Sequence, residues 1–164
     1  MHVRRALRGD AAAIADVHVR TWQTAYEHVF GPERLAGIDV SRRASGWARG
    51  LADGEIAFVA EEDGRLVGFA SVGPARDLEG LGELYAIYVL PEAWGTGAGP
   101  GLMRAAVGEL RAAGYADAVL WVLEDNPRAR RFYEREGWEH DGSVKEDEFL
   151  GLRVPEVRYR IRLA

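Results

Sequence analysis

Four glycines alternate with other residues at Gly95, Gly97, Gly99 and Gly101, just after the apolar run Leu84–Leu90 and just before a helical pattern. Strand, glycine-rich turn, helix is an arrangement that can hold an anion. Without Cβ atoms, backbone amides can crowd round a phosphate. The opening helix adds unpaired N–H groups and the positive end of its dipole. A P-loop is excluded, because no Lys or Ser/Thr follows Gly101. The dinucleotide fingerprint G-x-G-x-x-G fails on its third glycine, which would be Pro100 counted from Gly95 or Leu102 counted from Gly97. The expectation is a phosphate or pyrophosphate site, with an unliganded tight turn as the alternative.

Proton-transfer groups flank this turn. Glu83 opens the apolar strand and can act as a base at the mouth of a site, with Glu79 as its nearest substitute. Tyr133 lies on one helical stripe with Ala129 and Phe132. A phenol there can donate a proton at neutral pH or can simply be core. Asn126, before Pro127, suits a helix N-cap. His18, Trp22 and Tyr26 recur at four-residue steps, so they either pack in the core or present aromatic faces to a cationic substrate. Asp39 and Glu27 are further acidic options.

The elements that must position these groups follow from periodicity and punctuation. His2–Leu7 reads as a strand. A helix capped by Asp10 runs to about Val29 and ends at Gly31-Pro32. A second helix, capped by Ser41, runs to about Ala52. Ile56–Glu62 and Arg65–Val72 flank the hairpin signal Asp63-Gly64. Leu84–Leu90 is a third apolar strand, and a helix from about Gly97 to Ala113 closes on Gly114. Ala118–Leu123 is a buried strand, and a short helix runs from Asn126-Pro127 to Gly137. Strands near Trp138–Val144 and Val157–Leu163 finish the chain. Strands and helices do not alternate strictly, so the class is α+β, a mixed sheet with helices on its faces.

Composition narrows the chemistry. The 164 residues favour one domain, residues 1–164, with enough chain for a core. With no cysteine there is no disulfide, thiol nucleophile or cysteine-bound zinc. The four histidines fall in no metal-ligand spacing. No apolar run approaches the ~18 residues of a membrane span, and the N-terminal residues lack the apolar segment of a secretion signal. A cytoplasmic protein without membrane or metal partners is expected. The net charge of −5 argues against a nucleic-acid partner and mildly for a cationic small substrate.

Val89-x-Pro91 followed by Trp94-Gly95-Thr96-Gly97-Ala98-Gly99 resembles the acetyl-CoA pyrophosphate motif, Q/R-x-x-G-x-G/A, of the GNAT N-acetyltransferase superfamily. Asn126, Ala129, Phe132, Tyr133, Gly137 and Trp138 are similar to that family's N-x-x-A-x-x-[FL]-Y-x-x-x-G-[FW] segment. The resemblance implies a splayed, mixed, mostly antiparallel sheet flanked by helices on both faces. It implies acetyl-CoA as co-substrate, wedged between the strands before and after the glycine helix, with no metal. The cofactor would be held at Ile87, Val89, Trp94, Gly95, Thr96, Gly97, Ala98, Gly99, Gly101 and Asn126. Within that set, Ile87 N–H would polarise the thioester and Val89 would meet the pantetheine arm. Glu83 would be the base and Tyr133 the acid, with Trp22 and Tyr26 walling the amine pocket. The acceptor would be a small-molecule or peptide amine, and a homodimer accords with family habit. Trp94 replaces the usual Gln or Arg, and Pro100 removes one N–H donor. A non-catalytic CoA-binding module is the competing reading, and a dinucleotide-dependent oxidoreductase is a weaker third.

Overall fold

The computed structural model describes residues 1–164. In chain order the elements are β1 (His2–Arg5), α1 (Ala11–Ala25), α2 (Glu27–Phe30), α3 (Pro32–Ala36), α4 (Val40–Ala52), β2 (Ile56–Glu62), β3 (Arg65–Pro74), β4 (Gly82–Val89), α5 (Ala98–Ala112), β5 (Asp117–Leu123), α6 (Pro127–Arg135), β6 (Glu139–Phe149) and β7 (Leu152–Arg162). The strands form one seven-stranded sheet in the order β1-β2-β3-β4-β5-β7-β6. Every neighbouring pair is antiparallel except β4 and β5. The expected α+β architecture is present. No helix is long and apolar enough to cross a membrane.

Most boundaries follow the local chemistry. Asp63 and Gly64 both take positive φ, the geometry that joins β2 to β3 in a two-residue hairpin. Gly97, at φ +89°, opens α5, and Gly114, at φ +94°, follows its end. Three expectations need correction. Asp10 does not cap α1: its carboxylate accepts from Leu7 N–H at 2.7 Å and from the Arg4 guanidinium at 2.8 and 2.9 Å, closing the turn that precedes the helix. Asp39, not Ser41, caps α4, accepting from Arg42 N–H at 3.0 Å. The last two strands are longer than their apolar stretches, because residues 145–149 and 152–156, charged at Lys145, Glu146, Asp147, Glu148, Arg153 and Glu156, continue the antiparallel ladder.

Helices cover both faces. On one face Leu102, Met103, Ala106 and Leu110 of α5 join strand residues and Tyr133 and Trp138 in the largest core. On the other, Ile14 and Val17 of α1 pack with Val59, Phe69 and Leu90. Beyond them Trp22, Tyr26 and Phe30 meet Leu35, Leu123 and Val154.

The central feature is where the sheet comes apart. β4 and β5 pair only at Gly82↔Ala118 and Glu83↔Val119, and then diverge. Gly82 allows the tight start, since a Cβ there would come within 2.8 Å of Leu110 and 3.0 Å of Tyr115. Just past the last pair the β3–β4 register shifts, so that Val72 faces Leu84 and Ser71 faces Ala86, leaving Tyr85 as the extra residue. A bulge of this kind bends its strand and strengthens the local twist, which turns β4 away from β5.

His18 on α1 stacks on Tyr88 at 5.3 Å and lies among Trp22, Trp47 and Phe69. Burial, with the Arg43 charge adding to it, pushes this imidazole down to about 4. The folded value therefore lies below the unfolded one of about 6.5. Above pH about 6.5 both states are neutral there. As pH falls toward 4 the unfolded chain alone takes the proton, so stability is lost across that window, by about 3 kcal/mol at its limit. In urea unfolding, the stability gap between wild type and His18→Gln should narrow from pH 6.5 to pH 4. Parallel curves would contradict this burial.

Candidate active site

The gap between β4 and β5 is the floor of a cavity of about 840 Å³, walled by α1, α6 and the glycine turn. One edge of β4 is open to it. Leu90 N–H donates to Val67 O on β3, and backbone groups alternate sides along an antiparallel strand. Tyr88 and Ala86 therefore also turn to β3, and Ile87 and Val89 present their N–H and C=O to the gap. Val89 O accepts from Trp94 Nε1 at 3.0 Å.

At the end of β4 the chain turns through Gly95, φ +79°, and Gly97 into α5. The amides of Gly95, Gly97, Ala98 and Gly99 donate to no protein acceptor. These four free N–H groups, at a helix N-terminus beside the cleft, can donate to an anion such as a phosphate. Gly101 is different. Its N–H is already bonded to Gly97 O at 3.0 Å, and its missing Cβ makes room for Met1 and Val3 at 3.2 Å, so it packs α5 against the N-terminal residues. The Thr96 hydroxyl is turned back to Ala93 O at 2.6 Å, and the Ala98 side chain is buried in the core. Of these two, only the backbone of Ala98 is available to the site.

Trp94, which stands where the GNAT motif has Gln or Arg, is 42% exposed, and the Arg128 guanidinium lies 3.4 Å from its ring centroid. Arg128 lines the cleft. Burial and the neighbouring charges of Arg135 and Arg131 push its pKa down, the mark of a cation without its counterion. The sequence reading missed Arg128, although it stands next to Ala129 in the segment singled out.

The side chains facing the turn come from α6 and α1. Asn126 accepts from Ala129 N–H at 3.2 Å, capping α6, and donates to the Tyr26 hydroxyl at 3.0 Å. Trp22 Nε1 donates to the Tyr88 hydroxyl at 3.1 Å. Trp22 and Tyr26 are thus both core residues and cleft walls. Tyr133 is buried and lines the cleft, yet its hydroxyl makes no hydrogen bond to the protein. Burial, and secondarily Tyr88, push its pKa well up, so it stays protonated.

The carboxylates sort differently from expectation. Glu83 sits at the fork between β4 and β5, only 1% exposed. It accepts from Arg76 N–H at 3.0 Å and from the Arg76 guanidinium at 2.5 and 3.2 Å, and it is not among the residues lining the cleft. Glu156 on β7 does line it, 7% exposed, with no ion pair, and burial pushes its carboxyl up. The apolar pattern that signals β7 begins at Val157, so periodicity leaves Glu156 outside the strand that in fact spans Leu152–Arg162. Glu79, Glu27 and Asp39 do not line the cleft.

Comparison with known proteins agrees with this geometry. Residues 12–138 match the acetyltransferase (GNAT) family. An uncharacterized N-acetyltransferase of Bacillus subtilis, YuaI, is 37% identical over 160 residues, covering 94% of this chain and 89% of that one. The structure of an N-acetyltransferase from Staphylococcus aureus superposes with a TM-score of 0.78 at 21% identity, covering 99% of this chain and 98% of that one. That of YncA from Salmonella typhimurium, a putative acetyltransferase with its cofactor acetyl-CoA, superposes with a TM-score of 0.75 at 22% identity, covering 100% and 94%. The open β4 edge, the four free amides and the family match together place this chain in the GNAT family of acetyltransferases.

Proposed function

We propose that this protein transfers an acetyl group from acetyl-CoA to a primary amine of a small molecule or peptide by direct attack. The observation that carries the reading is the open edge of β4 running into the four free amides of the glycine turn. The first suits an extended amide-bearing arm, and the second suits a pyrophosphate. When bound, acetyl-CoA supplies an activated thioester.

The chain's own groups then have these roles. Gly95, Gly97, Ala98 and Gly99 N–H hold the phosphates, and Arg128, laid against Trp94, supplies the cation that position 94 lacks. Val89 steadies the pantetheine arm, and Ile87 N–H polarises the carbonyl. A lysine-like ammonium costs about 4.6 kcal/mol to neutralise at pH 7, and a carboxylate in the cleft can take its proton. Glu156 is the base in this reading, since it faces the cleft unpaired and burial makes it more basic. Glu83, held by Arg76, fixes the fork. Glu156 takes one proton from the ammonium; the C–N bond then forms as C–S breaks, Tyr133 protonates the leaving thiolate, and the second amine proton passes to solvent, from which Tyr133 is re-protonated.

The direct test is free-thiol release over a panel of primary amines with acetyl-CoA. Release with at least one amine supports the reading. Binding without release would make the protein a CoA-binding module. In calorimetry, Gly97→Val should abolish acetyl-CoA binding in a folded protein, because a branched side chain is strained at φ +89° and crowds the free amides; wild-type affinity would remove the turn from the site.

Tyr133→Phe should lower turnover by about 10²-fold with acetyl-CoA affinity little changed. Unchanged turnover would return Tyr133 to the core.

Glu156→Gln should lower kcat/KM most at neutral pH, with recovery as pH rises toward the free amine's pKa. Glu83→Gln should lower stability by about 1–3 kcal/mol and leave the shape of the pH profile alone. The reverse pattern would make Glu83 the base.

A further inference from the structure

A second cavity, of about 640 Å³, lies against the first on the α1 side. It is lined by Asp39, Arg42, Arg43, Trp47 and Glu55, among others, and by His18; His18 and Arg43 also line the main cleft. Arg43 therefore stands where the two cavities meet.

The charges on this wall are unusual for the element that carries them. Arg42 and Arg43 occupy the first turn of α4, which holds no acidic residue. Cations at that end oppose the helix dipole. The guanidiniums of Arg42, Arg43 and Arg49 make no ion pair and no hydrogen bond to the protein. Asp39, the nearest carboxylate in sequence, is committed to the Arg42 backbone N–H. Arg43 is half-buried and still unpartnered. Three unpartnered guanidiniums, Arg42, Arg43 and Arg49, thus stand with two carboxylates, Asp39 and Glu55, on the lining of this cavity, and Arg43 faces the main cleft as well. Guanidinium groups in such a place suit an anion, which they bind through paired N–H donors.

The main cleft is also lined by Glu156, a buried carboxylate without an ion pair, near Tyr26 and Tyr88. Arg43 and Glu156 thus line the same cleft, one an unpartnered cation and the other a carboxylate without an ion pair, with Lys145 and Arg76 also on its wall.

We infer that the acceptor is an amine that also carries an anionic group, a carboxylate or a phosphate-like group, received by Arg43 while the amine faces Ile87 and Glu156. The inference rests on the acetyl-transfer reading and adds the second recognition point. His18, which lines both cavities and is kept neutral by burial, adds no charge beside Arg43.

The test is a molecular ruler. The ω-amino carboxylates from glycine to 6-aminohexanoate are each compared with their primary amides, and the matching aminoalkyl phosphonates form a second arm; thiol release is read as kcat/KM. At one chain length the acid should exceed its amide by tenfold or more, and the two arms tell carboxylate from phosphonate. R43M, which keeps the length of the apolar stem, should bring that ratio close to one, and R43K should restore part of it. Amides turned over as well as acids by the wild type would overturn the inference, as would a preference that survives R43M. Turnover confined to amines without an anion, such as spermidine, would overturn it and leave acetyl transfer standing. Loss of acetyl-CoA binding and of all thiol release would remove both.

Discussion

Two residue pairs hold β4 to β5, and everything at the site depends on their being only two. An unpaired strand edge in an apolar setting costs about 1–3 kcal/mol for each unsatisfied group. The fold leaves this edge open beside a cavity, where water or a ligand can satisfy it. The bulge at Tyr85 turns β4 aside, and the aromatic side chains of α1 and α6 occupy the walls. A fully zipped sheet would pair Ile87 and Val89 with β5 and have no cleft. The glycine turn is useful only because this edge delivers an extended ligand to it.

The charges are arranged round the same fork. Arg76 and Glu83 neutralise each other at its vertex, where an unpaired carboxylate that is 1% exposed would be costly. Glu156, Arg43 and, beside the glycine turn, Arg128 line the cleft without an ion pair. Buried or half-buried charges left without partners in the folded chain mark the places where a ligand completes the electrostatics.

Much of this was legible in the sequence. The glycine turn, the helix after it, the Asp63-Gly64 hairpin and the Asn126 cap depend on local backbone chemistry, and each stands where its residues put it. Residues whose roles depend on distant partners were harder to read. Glu83 has the right distance from the turn, but its carboxylate is claimed by Arg76, seven residues away across a loop. Gly101 shares the spacing of its neighbours and faces β1. Arg128 and Glu156 gain their meaning from Trp94 and from the gap in the sheet, neither of which periodicity can show. Asp10 was a plausible cap until Arg4 and the Leu7 amide claimed it.

The central claim is that the open edge of β4 receives the acyl donor. Amide hydrogen exchange, resolved by residue with and without acetyl-CoA, tests it most directly. Ile87 and Val89 N–H should slow strongly on binding, together with Gly97, Ala98 and Gly99, while the amides of β1 and β6 stay unchanged. Protection confined to other strands, with the amides of Ile87 and Val89 exchanging as in the free protein, would contradict the account.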